Sequence, residues 1–169
     1  MGQGMKRLAG RRSPRWAFME RFEIPDYDHP ERSYLTRWRL VQTPWFGFYL
    51  HKMDGPDPRE TLHDHPWAFL SVVLRGGYVE RRLNPLDMSV AEHHRVRWLN
   101  RCRACDAHSI RSLLRTPTWT LVFVGKRVRT WGYLEPIAGS VTWGWTEFDL
   151  HRHNQEFIEA LASRVDAPR

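Results

Sequence analysis

From Tyr34 onward the chain is a succession of short runs rich in β-branched and aromatic residues, each closed by residues that interrupt regular structure. The runs are 34–42, 45–53, 67–75, 78–83, 94–99, 108–114, 119–125 and 129–134. The separators include Thr43-Pro44, Asp54-Gly55-Pro56, Gly76-Gly77, Asn84-Pro85 and Thr116-Pro117. Short strands at near-regular spacing predict an all-β sandwich or barrel, not alternating strands and helices. Upstream, residues 1–14 carry no periodicity and read as a flexible arm, and 16–22 predicts a short amphipathic turn or helix ended by Pro25. Downstream, Thr146-Glu147-Phe148-Asp149 resembles a capping box, and Phe157, Ile158 and Leu161 share one helix face. The expected organisation is a basic arm over 1–15, a barrel over 16–145 with its core at 34–145, and a C-terminal helix and tail over 146–169.

Composition narrows this picture. A chain of 169 residues has room for one domain, and 13% aromatic residues with nine Trp excludes wholesale disorder. No apolar run approaches the ~20 residues of a membrane helix, and no apolar region follows the basic N-terminus as in a secretory signal. Two Cys cannot build a disulfide framework. The expectation is a soluble protein of the reducing cytoplasm with no membrane partner. Of the +7 net charge, five belong to Lys6, Arg7, Arg11, Arg12 and Arg15 in the arm. That arm is a candidate contact for nucleic acid, with a solvated tail as the simpler reading. The barrel region is nearly neutral. The chain holds no G-x-x-x-x-G-K-[ST], G-x-G-x-x-G or G-x-S-x-G, which argues against P-loop, Rossmann and serine-hydrolase chemistry.

The chemistry-bearing stretch is Thr61-Leu62-His63-Asp64-His65-Pro66-Trp67-Ala68-Phe69-Leu70-Ser71. His63 and His65 alternate, so on an extended chain both imidazoles leave one face. Two neutral imidazoles converging on a point chelate a first-row divalent ion, and His108, opening a later predicted strand, is the candidate third ligand. Asp106 is a candidate alternative ligand, or a carboxylate that orients His108 from behind. The same parity turns Trp67, Phe69, Ser71 and Val73 inward, giving a pocket with aromatic walls. Tyr49 and His51 face that pocket in one register of 45–53. The other register presents Phe46, Phe48 and Leu50, and parity does not choose between them. Glu80 and Arg129 read as surface charges near the mouth. Cys102-Arg103-Ala104-Cys105 lacks the second Cys pair of a zinc site and reads as incidental thiols.

Taken in order, Gly55, His63, His65 and Gly76 resemble the first motif of the cupin superfamily, a Gly turn leading to His-x-His, a Glu and a closing Gly. His108 resembles the single His of the second motif. The phrases His63-Asp64-His65-Pro66-Trp67, Val73-Leu74-Arg75-Gly76-Gly77-Tyr78, Pro117-Thr118-Trp119-Thr120 and Arg129-Thr130-Trp131-Gly132-Tyr133 are similar to a group of small cupin-like proteins of bacteria and their phages. The resemblance spans residues 34–145 and implies a single-domain, RmlC-like jelly-roll barrel. There are departures. Phe69 stands where the family has its Glu ligand, Cys105 and Arg103 stand where Gly and Pro are usual, and Ser112 replaces the closing Asn. The remaining three-His set is similar to that of thiol dioxygenases of the superfamily. It implies a divalent metal, iron for an enzyme with manganese, nickel or zinc as alternatives, and a dioxygenase-like reaction on a small anionic molecule. A set without an anionic ligand leaves the ion a higher net charge, which favours anionic substrates. The other expectations are a non-catalytic ligand-binding or accessory cupin, and a homodimer formed through exposed sheet edges.

Overall fold

The computed structural model describes residues 16–149, apart from 27–28, 30–31, 59–60, 85–86, 88 and 139–141. The basic arm and the apolar positions Phe157, Ile158 and Leu161 lie outside the described residues. Within them the chain forms β1 (Ala17–Pro25), β2 (Ser33–Gln42), β3 (Gly47–Met53), β4 (Leu62–His63), β5 (Phe69–Arg75) and β6 (Tyr78–Leu83). There follow β7 (Val90–Val96), β8 (Leu99–Cys102), β9 (His108–Leu113), β10 (Thr118–Val124), β11 (Gly132–Pro136) and β12 (Trp143–Glu147). Two six-stranded antiparallel sheets result, ordered β1-β2-β3-β10-β5-β8 and β12-β11-β4-β9-β6-β7. This is the layout of a jelly roll.

Register shows why the first sheet packs as it does. Cross-strand partners put side chains in rows on its inner face. One row is Arg37, His51, Thr120 and Val73. The next is Arg39, Tyr49, Val122, Ser71 and Asn100. Along β10 every second residue, Thr118, Thr120, Val122 and Val124, is buried. On β3 the inward register is therefore Gly47, Tyr49, His51 and Met53, the choice that parity alone left open. The apolar core lies in three clusters: Leu35, Met53, Val73, Tyr78 and Val96; Tyr49, Val122 and Val124 with Trp67 and Phe69; and Leu62, Leu83 and Ala107. Leu62 is almost fully buried, a burial worth about 1.5–3 kcal/mol that anchors the two-residue strand β4.

Between β5 and β6, Gly76 and Gly77 adopt φ of +89° and +122°, values that side chains beyond glycine rarely take. A Cβ on Gly76 would sit 2.5 Å from Thr118 Oγ1. Three local expectations are corrected. Residues 17–22 belong to β1, an edge strand, and are not helical. Thr146 and Glu147 end β12, paired with Tyr133 and Gly132, so the capping-box pattern does not open a helix there. The run 94–99 divides between β7 and β8, which lie in different sheets. Among the described residues no helix is long and apolar enough to cross a membrane.

Candidate metal centre

The centre is built around β4. That strand is paired on both sides, with Tyr133 of β11 opposite His63 on one flank and His108 of β9 opposite it on the other. His63 and His108 are thus direct cross-strand neighbours, which brings their side chains together on one face. His65 follows the strand, its N–H donating to the carbonyl of Ala104 at 3.2 Å.

Asp64, between the two histidines, pins the segment. Its Oδ1 accepts the Gly132 N–H at 2.7 Å, and its own N–H donates to the Gly132 carbonyl at 3.0 Å. Its Oδ2 accepts Trp145 Nε1–H at 2.9 Å and pairs with Arg129 Nη1 at 2.7 Å. Arg129, read from sequence as a surface charge, therefore holds the histidine segment in place. Gly132 permits the close approach, because a Cβ there would lie 2.0 Å from the Thr146 carbonyl oxygen.

The three imidazole rings form a nearly equilateral triangle, with centroids 5.2, 5.0 and 5.1 Å apart for His63–His65, His63–His108 and His65–His108. One ligand atom from each lies within 4.8 Å of the others, so the set can hold a metal ion. His65 Nε2 and His108 Nε2 are 2.8 Å apart. Adjacent imidazole ligands about 2.0–2.1 Å from one ion sit about 2.8–3.4 Å from each other, so the spacing is at the short end of what a shared ion allows. His108 Nδ1 is engaged by Glu80 Oε2 at 2.7 Å and His63 Nδ1 lies 3.4 Å from the Thr61 carbonyl, so the opposite nitrogens are the ones that would ligate an ion. Burial, reinforced by His108 and His63, pushes the pKa of His65 well below 6.5. Burial lowers His63 as well, against the pull of Asp57. Both imidazoles are held neutral, the form that ligates.

Around this set the lining is mixed. Phe69 lies edge-on to His65 at 4.8 Å and 5.9 Å from His108, an apolar wall beside the set. Trp67 packs against Tyr49, whose hydroxyl donates to Gln42 Oε1. His51 is next, its Nε2 accepting Arg37 Nε–H at 2.9 Å, and the Arg37 guanidinium lies 5.6 Å from the Tyr49 ring centre. Burial and then Arg37 push the pKa of His51 well below 6.5. Arg37 and His51 also bear electrostatically on His65. An open cavity of about 420 Å³ is lined by Phe69 and Leu70 of β5, Arg101 and Cys102 of β8, and Phe123 of β10.

Two sequence readings change here. Asp106 does not reach His108: its Oδ2 accepts the Arg103 N–H at 2.8 Å and closes the turn before β9. Glu80, read as a surface charge, is fully buried and holds His108 instead. It also accepts from Arg82 Nε at 2.6 Å, His94 Nδ1 at 2.9 Å and Asn100 Nδ2 at 3.1 Å. Burial would raise its pKa, but the His108 hydrogen bond and charge, then Arg82 and His94, outweigh that and hold it at about 2. The local signal for Glu80 was slight: it shares strand parity with Tyr78, yet Arg82 shares it too. Cys102 is buried, with its pKa pushed up to about 12 by desolvation, and Cys105 is exposed. Neither is part of the histidine set.

No protein-family model and no curated protein matches this sequence. Solved structures similar to it are cupin-type proteins. They include oxalate decarboxylase from Bacillus subtilis, at 11% identity and a TM-score of 0.49 over 70% of this chain and 31% of that one. An RmlC-like cupin from Shewanella frigidimarina is similar at 12% identity and a TM-score of 0.44, over 66% and 93% of the two chains. KdgF from Halomonas sp. is similar at 16% identity and a TM-score of 0.43, over 56% and 81%.

Proposed function

We propose that this chain is a cupin-type metalloprotein in which His63, His65 and His108 hold one divalent first-row ion, working as a mononuclear non-haem iron enzyme of oxygenase type on a small anionic molecule. The observation that carries the reading is the triangle of imidazoles, with the outer nitrogen of His108 secured by a buried carboxylate. The donor set fits the ion. Imidazole nitrogen suits iron, zinc, copper and nickel, and calcium or magnesium would demand oxygen ligands that the set lacks. Iron, when bound, supplies a redox couple and open positions for dioxygen and substrate.

The rest is the chain's own work. Phe69, edge-on to His65 and beside His108, gives the histidine set an apolar wall. Arg37, on the inner face of β2, brings positive charge beside the histidine set, which favours an acidic substrate. His51 accepts from Arg37 and orients the guanidinium in the barrel.

The test is elemental analysis of the purified protein beside a His108→Ala variant, followed by an oxygen-consumption screen over small carboxylic and thiol acids. Near-stoichiometric iron in the parent and its loss in the variant is the expected result. No bound metal in either sample after reconstitution would defeat the reading.

A further inference from the structure

Resting on the metal-centre reading above, we propose that Glu80 is a positioning residue of that centre. Its buried carboxylate selects the tautomer of His108 that carries its proton on Nδ1, and so presents a bare Nε2 to the ion.

The geometry argues this from both sides of His108. Behind the ring, Glu80 Oε2 stands 2.7 Å from Nδ1. An ionised carboxylate only accepts, so Nδ1 must donate. A ligating imidazole is neutral and has a single N–H, so with Nδ1 donating to Glu80 the lone pair that can ligate is on Nε2. In front of the ring, that Nε2 faces His65 Nε2 at 2.8 Å.

The carboxylate has no freedom to turn away. Its Oε1 accepts from Arg82 Nε at 2.6 Å and from His94 Nδ1 at 2.9 Å. Asn100, reaching across from β8 in the other sheet, donates to Oε1 at 3.3 Å and Oε2 at 3.1 Å and to the Tyr78 hydroxyl at 2.9 Å. Arg82 Nη2 in turn donates to Asn100 Oδ1. Both sheets thus lock one rotamer. Arg82 balances the charge of Glu80, so the carboxylate acts on the ion through the orientation and protonation of His108. It is not a ligand: the histidine set closes without it.

The experiment compares the full-length parent with Glu80→Gln. Glutamine has one acceptor oxygen, and the two donors Arg82 and His94 draw it to the Oε1 position. Its NH2 then faces His108 Nδ1 and forces the proton to Nε2. We expect cobalt(II) and zinc affinity to fall about 10–100-fold in the variant. Imidazole 15N NMR of the metal-free proteins should show His108 protonated on Nδ1 in the parent and on Nε2 in the variant. A metal-free parent with His108 protonated on Nε2 overturns the proposal, whether or not the variant folds. Equal cobalt affinity in parent and variant also overturns it and leaves the metal centre standing. A parent that takes up neither ion defeats the metal-centre reading, and this proposal with it.

Discussion

Replacing Asp64 with Ala should loosen the fold at the point where it holds the histidines. The side chain is 2% exposed and accepts from three donors: the Gly132 amide, the Trp145 indole and the Arg129 guanidinium. These contacts are not equal. The Gly132 amide on an ionised acceptor is worth about 1.5–3 kcal/mol, and the indole about 1–2 kcal/mol. Arg129 is one-third exposed, so solvent screening reduces its share to about 1 kcal/mol or less. The variant also leaves the Gly132 N–H without its acceptor. The sum is a loss of about 2.5–6 kcal/mol, a large part of the ~5–15 kcal/mol that stabilises a typical domain. For a chain of this size that is a fall in Tm of about 5–24 °C. Urea unfolding followed by tryptophan fluorescence and by far-UV circular dichroism would measure it. Metal affinity should weaken in parallel, because β4 loses its hold on β11. Asp64→Asn, with one acceptor oxygen and an NH2 facing a donor, should lose roughly half as much. A loss below about 1 kcal/mol for Asp64→Ala would refute the view that this carboxylate pins the segment.

Gly132→Ala should be as damaging by a different route. Its Cβ would meet the Thr146 carbonyl oxygen at 2.0 Å, so β12 must move away from β11, at a cost of at least about 2 kcal/mol in the same unfolding assay. His51 predicts a pH effect. Its folded-state pKa lies well below 6.5, so it favours the fold when neutral. That contribution is complete above pH 6.5 and is lost as pH falls towards the folded-state value. His51→Gln still accepts from Arg37 and does not titrate. Below pH 6.5 the parent should lose up to about 1.4 kcal/mol per pH unit more than this variant, and parallel stability curves would exclude the assignment.

Much of the barrel was legible locally. Residues 78–83 were read as the strand that β6 is, because the run has β-forming residues and Gly76-Gly77 and Asn84-Pro85 punctuate its ends. The failures share one cause, which is that a strand is defined by a partner the local sequence does not contain. The run 16–22 reads locally as an amphipathic turn or helix because its apolar residues do not alternate. Met19, at φ +50°, drops out of the pairing while the register runs on unshifted, with Phe18 opposite Val41 and Glu20 opposite Arg39. Thr146-Glu147-Phe148-Asp149 satisfied a capping pattern, yet pairing with β11 and the stacking of Phe148 on Trp131 at 4.3 Å extend the chain there.

The site divides in the same way. His63, His65 and His108 could be nominated from the sequence, since alternation, residue chemistry and a later strand opening on His are properties of the chain itself. Only the tertiary structure closes them into a triangle, because the cross-strand pairing of His63 with His108 is a matter of sheet order. It also decided the inward register of β3, since burial depends on the sheet that covers a strand. The carboxylates show the difference most sharply. Asp106 is near His108 in sequence but spends its oxygen on a turn, whereas Glu80, remote in sequence, lies behind the ring. Residue type and spacing determine which groups are available. Which of them meet in the dry interior, where a hydrogen bond fixes a tautomer, depends on strands that the chain brings together only by folding.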